Sequence, residues 1–115
     1  MGRNQLIASA VFYAALSLPT TAHAINSDQQ QAIERLGELN GIALHCGYFE
    51  ETTRLKEAMV AHVPKVRALG ALFEETTQAS FMSVVKQSNA CPNAQKLATD
   101  VNEGITTLRR AFAQQ

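Results

Sequence analysis

From Ser27 onward the apolar positions recur at steps of three and four and almost nowhere alternate, which is the pattern of helices with one buried face. Ile33, Leu36, Leu39, Ala43 and Cys46 trace a first stripe that turns Cys46 toward the core. Ser27 followed by Gln30 has capping-box spacing, and Asp28 suits the positive end of a helix dipole, so this helix is predicted to begin there. Gly37 and Gly41 stand beside the stripe, and each costs an isolated helix about 1 kcal/mol relative to Ala. Either a neighbouring backbone comes close to them or they sit exposed, where they are tolerated.

Gly47 kinks or interrupts the pattern, which resumes with Phe49, Leu55, Met59 and Val63. The ring of Pro64 biases Val63 away from helical geometry, predicting a helix end near His62 and a new helix starting at Pro64. That helix runs on Val66, Leu69, Phe73, Phe81, Val84 and Val85, although Glu74 to Ala79 supplies few large apolar groups and Gly70 weakens it. Gln87 to Asn93 is a turn of side chains that compete for backbone hydrogen bonds, and Cys91 or Asn93 caps the last helix. Leu97, Val101, Ile105, Leu108 and Phe112 draw the cleanest stripe of the chain along that helix, with Arg109 and Arg110 near its negative end.

The fold class implied is all-α: a small antiparallel bundle of four helices, or of three if the first two are continuous. Phe49-Glu50-Glu51-Thr52-Thr53 returns as Phe73-Glu74-Glu75-Thr76-Thr77. Standard helical repeats have longer units and need about three copies to close a core. A matched pair of helix faces, each with one buried Phe and an outward acidic patch, accounts for the echo without a repeat architecture.

Residues 1–24 change the setting of this bundle. Arg3, the apolar stretch from Leu6 to Leu18, Pro19 and the box Ala22-His23-Ala24 have the layout of a cleaved secretory signal peptide. The stretch falls short of the roughly 20 residues that cross a hydrocarbon core, so no stable membrane insertion is expected after cleavage. Residues 25–115 then form one helical domain in the periplasm or outside the cell. Cys46 and Cys91 are expected to be joined there by a disulfide. Closing that loop removes on the order of 4 kcal/mol of unfolded-state entropy, comparable to the whole net stability of a small domain.

Only Arg3 of the ten Lys/Arg lies in the leader, so the mature chain carries a formal charge of about −1. That balance gives no reason to expect a nucleic-acid partner. His45 and His62 lack the spacing that holds zinc or covalent haem, and read as a boundary residue and a helix C-terminal residue. Met59 and Met82 read as core filling. No metal site, cofactor or catalytic residue is expected: Arg54 follows Glu50 at i+4 as a surface pair, and the threonines have no neighbouring base.

What remains is binding. Tyr48, Glu50, Glu51 and Arg54, with Glu74 and Glu75, are the candidate partner surface, in a region less committed to the core than the last helix. The function expected is an exported, non-enzymatic interaction module: an inhibitor or immunity factor, an envelope assembly accessory or a periplasmic chaperone. Its partner would be another exported protein or a second copy of the chain. The alternatives are a small carrier holding a metal, haem or apolar ligand between helices and, last, a small periplasmic enzyme. Intact mass of the exported protein should correspond to a chain beginning at Ile25 and should not rise on alkylation without reductant. Uptake of two alkyl groups would remove the disulfide.

Overall fold

In the computed structural model, which describes residues 10, 11, 14, 24–87 and 91–113, four helices succeed one another. They are α1 Ser27–Cys46, α2 Phe49–His62, α3 Arg67–Lys86 and α4 Ala94–Phe112. No strand occurs among the described residues. The predicted signal peptide lies almost wholly outside them.

The helix ends obey local chemistry. Asn26, one residue before the predicted Ser27, caps α1: its side chain accepts from the Gln29 backbone N–H at 2.8 Å, and the Gln29 side chain accepts from Asn26 N–H at 3.0 Å. Gln29 prevails over Gln30 because its amide also donates to the Ala111 carbonyl of α4 at 3.0 Å, a tie that Gln30, paired with Glu34, lacks. Gly47, with φ of 77°, ends α1 in the left-handed region that glycine enters without steric cost. Gly47 N–H donates to the Leu44 carbonyl and Tyr48 N–H to that of Ala43, a Schellman turn, so α1 and α2 are separate helices. Pro64 does not open α3 as expected. Val63 to Val66 stay non-helical, with Val63 and Val66 extended, and α3 begins only at Arg67. Asn93 caps α4 by accepting from Lys96 N–H at 2.8 Å.

Contacts between helices fix their directions. Gln29 reaches Ala111, and Gly104 lies against Leu36 and Leu39, so α1 and α4 run antiparallel. Tyr48 meets Pro92 and Arg54 meets Asn102, so α2 runs parallel to α4. Gly37 lies beside Phe73 and Thr76, and Gly41 beside Thr77, Ser80 and Phe81, so α3 runs parallel to α1. Consecutive helices alternate in direction, as an antiparallel bundle requires. The central pair, α2 and α3, make only marginal contact, since α2 packs on α1 and α4 while α3 packs on α1.

Helix α1 is therefore the central post. Ile33, Leu36, Leu39 and Ala43 build a core with Leu55, Leu69, Phe73, Leu97, Val101, Leu108 and Phe112. A second stripe, Gly37, Asn40 and Gly41, receives α3. A Cβ added to Gly41 would lie 2.5 Å from the Thr77 carbonyl oxygen and 2.6 Å from both Phe81 N and Ser80 Cβ. One added to Gly37 would lie 2.7 Å from Thr76 Cβ. The glycines thus serve close backbone approach. Between them the buried Asn40 donates to Thr77 Oγ1 at 3.2 Å, and Thr77 donates to the Phe73 carbonyl at 2.8 Å. Asn40 Oδ1 has no hydrogen-bond partner among the described residues.

Gly41→Ala is expected to destabilise the fold by about 1–3 kcal/mol through overpacking, although alanine is the better helix former. Gly70, exposed on α3 with nothing within 4 Å of an added Cβ, gives the opposite sign: Gly70→Ala should stabilise by up to about 1 kcal/mol. Urea unfolding of the two variants checks this. Equal stabilisation by both would dismiss the close approach.

Candidate functional site

The end of the bundle where α1 stops is held by two independent ties. Cys46 and Cys91 form the disulfide, their Cα atoms 5.7 Å apart, so the α1 terminus is bonded to the segment that leads into α4. A formed disulfide is the mark of a compartment outside the reducing cytoplasm. Two residues on, the half-buried Tyr48 donates its phenol hydrogen to the Pro92 carbonyl at 2.8 Å. The turn between α1 and α2 is thereby fixed to the start of α4 at two nearby positions on each segment, Cys46 and Tyr48 on one and Cys91 and Pro92 on the other.

Just beyond these ties, α2 presents its first turn. Phe49, expected in the core, is 66% exposed. Helical geometry supplies the reason: six residues at about 100° each place Phe49 some 120° around the helix from the buried Leu55, and α2 is covered only on the Leu55 side. Glu50 is exposed and Glu51 half-buried. Arg54 pairs with Glu51 at 2.8 Å, not with Glu50 as its i+4 spacing suggested, because its guanidinium also donates to Asn102 of α4 and is drawn to that side. Glu74 and Glu75 are exposed on α3. The structure thus brings Tyr48, Glu51 and Arg54 together along the α2–α4 side, leaves Glu50 exposed on the same turn of α2, and places Glu74 and Glu75 on a helix that barely touches α2. Tyr48, Glu51 and Arg54 are engaged in holding α2 to α4 or in pairing within α2, which leaves Glu50 and Phe49 as the free groups of that turn.

The repeated pentapeptide has no common face. Phe73 is buried where Phe49 is exposed. Thr52, the fourth residue of the first copy, is buried with its hydroxyl unpartnered, whereas in the second copy it is the fifth residue, Thr77, that is buried. The reading of matched faces, each with a buried Phe, is corrected accordingly.

Helix α3 is covered chiefly by α1, and its outer side carries apolar groups toward the disulfide end. Met82, expected to fill the core, is 50% exposed, and Val85 is 45% exposed, because the line that faces α1 is instead Leu69, Phe73, Thr77 and Val84. Phe81 is half-buried and packs edge-on against the exposed His45 ring, with centroids 5.2 Å apart. His62 belongs to the opposite end of α2, a 14-residue helix about 21 Å long, so the two histidines do not converge. Met59 is half-buried against the core. No group of three or more His, Cys, Asp or Glu among the described residues is arranged to hold a metal.

Five of the hydroxyls bond to backbone carbonyls. Thr53, Thr76, Thr77 and Thr99 each donate to the carbonyl one turn back on their own helix, and Ser80 donates to Glu38 O across the α1–α3 contact. None is held by a base that would activate it. Two open grooves flank α1. The groove toward α4, of about 570 Å³, and the one toward α3, of about 680 Å³, share Gln31 and Arg35 as the ridge between them. Their charged groups are partly engaged already, Arg35 with Glu38 and Asp100 with Lys96.

Three structural residues escape the stripe reading: Asn40, Gly104 and Pro92, the acceptor for Tyr48. A signal for the first was present, since Gly37, Asn40 and Gly41 fall at i, i+3 and i+4 on one helix face. Comparison with known protein families, characterised proteins and solved structures gives no significant match.

The two ties should separate in stability. Replacing both cysteines by serine is expected to cost about 2–5 kcal/mol. Tyr48→Phe, which leaves the Pro92 carbonyl without its donor, should cost about 1 kcal/mol. Denaturant melts of each variant measure this, and an unchanged Tyr48→Phe midpoint would dismiss the phenol bond.

Proposed function

We propose that the mature chain is an exported, non-enzymatic protein-interaction module whose docking surface is the disulfide-tied end. The observation that carries this reading is the pairing of rigidity with uncovered apolar side chains. Phe49 stands exposed beside a turn fixed by the Cys46–Cys91 bond and the Tyr48–Pro92 hydrogen bond, and Met82 and Val85 are exposed on α3 toward the same end of the bundle. A pre-ordered surface loses little conformational entropy on association, and aromatic and methionine side chains are favoured as buried anchors. Glu50 beside Phe49 supplies the polar rim.

The partner proposed is another exported protein, in the manner of an inhibitor, an immunity factor, an envelope assembly accessory or a periplasmic chaperone. The compartment proposed is the periplasm or the extracellular medium, reached by the leader read from residues 1–24. A second copy of this chain would use the same surface.

Immobilised mature protein should retain a stoichiometric exported protein from envelope extract. Phe49→Asp combined with Met82→Glu should weaken retention at least tenfold, the effect of losing about 1.4 kcal/mol or more at a buried anchor. Both positions are exposed, so circular dichroism and melting should not change. Retention undiminished in the folded double variant would overturn this docking surface. Self-association lost in that variant would assign the surface to a homodimer.

A further inference from the structure

The opposite end of the bundle has a different chemistry. There α1 and α3 begin and α2 and α4 end, joined on one side by the turn from Val63 to Val66. Lys65, Arg67, Arg109 and Arg110 are all exposed at this end, and none joins an ion pair among the described residues. Within about one turn of these helix ends the one acidic residue is Asp28, which lines the α1–α4 groove together with Arg110. Four of the nine Lys/Arg from residue 25 onward therefore meet one of the ten Asp/Glu here, in a chain whose full sequence has no net formal charge.

The same end carries uncovered apolar surface. Val60 is 66% exposed, and with Met59, Val63, Pro64, Val66 and Gly70 it borders a shallow depression of about 370 Å³ whose remaining lining is Lys65 and Arg67. Apolar groups set directly among unpaired cations suit a surface that offers negative charge outside and hydrocarbon just beneath.

We propose that the basic, apolar-tipped end built from the α2–α3 turn and the last turn of α4 docks on an anionic phospholipid bilayer. Lys65 and Arg67 face the headgroups, with Arg109 and Arg110 adding to the field, and Val60 and Pro64 enter the headgroup–acyl boundary. Each cation near such a surface adds modest attraction, and the apolar contact supplies the second signal that stable peripheral binding needs. No helix among the described residues is long and apolar enough to cross a membrane, and the contact proposed is a peripheral one. This surface is separate from the disulfide end and does not depend on the protein partner proposed there.

The test is sedimentation of tag-free mature protein with vesicles of phosphatidylglycerol and phosphatidylethanolamine, against vesicles of phosphatidylcholine alone. Binding should be at least about tenfold tighter to the anionic vesicles, and should fall away in about 0.5 M salt as the charges are screened. Lys65→Glu with Arg67→Glu should lower it about tenfold or more while leaving the circular dichroism spectrum unchanged. Val60→Asp, also at an exposed position, should weaken binding with the cations intact. Equal binding to both vesicle types, no binding, or full binding by the folded charge-reversal variant would overturn the proposal. Capture of an acidic exported protein through Lys65 and Arg67 in place of vesicle binding would equally overturn it.

Discussion

The backbone contact between α1 and α3 across Gly37 and Gly41 is the constraint on which the rest of the bundle depends. Helix α1 receives three neighbours, and α3 makes only marginal contact with anything else. With side chains at 37 and 41, α3 would have to stand farther off, and Leu69 and Phe73 would leave the core they share with α1. Asn40 adds register to proximity. Its amide finds Thr77 Oγ1 in the observed alignment, and a slip of one turn would leave a buried donor unpaired, at a cost of about 1–3 kcal/mol. The buried amide is a specificity device as well as a cost, since Asn40 Oδ1 has no partner among the described residues even in this register.

A second consequence of α1 as the post is that the molecule has two unlike ends. At one, the disulfide and the Tyr48 phenol bind the α1–α2 turn to the start of α4, and exposed apolar groups stand on a rigid frame. At the other, Lys65, Arg67, Arg109 and Arg110 surround uncovered valine and proline. The near-neutral formal charge conceals this separation, because it sums over a basic end and an acidic remainder. On the two proposals made above, the chain would hold its partner at a fixed distance from the bilayer, set by the length of α1.

Much of the architecture was legible because helical periodicity is a local property. The stripes of α1 and α4 name most of the core residues correctly, with Cys46 and Ile105 half-buried; Gly47 and Pro64 mark boundaries through backbone geometry, and Asn93 through its side-chain cap. The errors fall where coverage by a neighbour decides the outcome. Phe49 and Met82 are apolar and helical, yet the helices that bear them are covered on one side only, so both reach solvent. The repeated pentapeptide makes the same point within one chain: identical residues bury Phe73 and expose Phe49, because rotation relative to a neighbour is absent from a local string. The six candidate partner residues divide for this reason too, since α2 and α3 are adjacent in sequence and nearly separate in space.

The sequence by itself determined that the chain is helical, that helices break near His62 and between Gln87 and Asn93, which residues form the main core stripes and which cysteines pair. These properties rest on spacing, capping, backbone restriction and there being just two cysteines. The tertiary structure alone decided that α1 and α3 run side by side in parallel, that Gly37 and Gly41 are points of contact, and which residues remain uncovered at the two ends. Those outcomes depend on how helices pack against one another through space, and the free energy that selects the packing is shared among residues far apart in the chain.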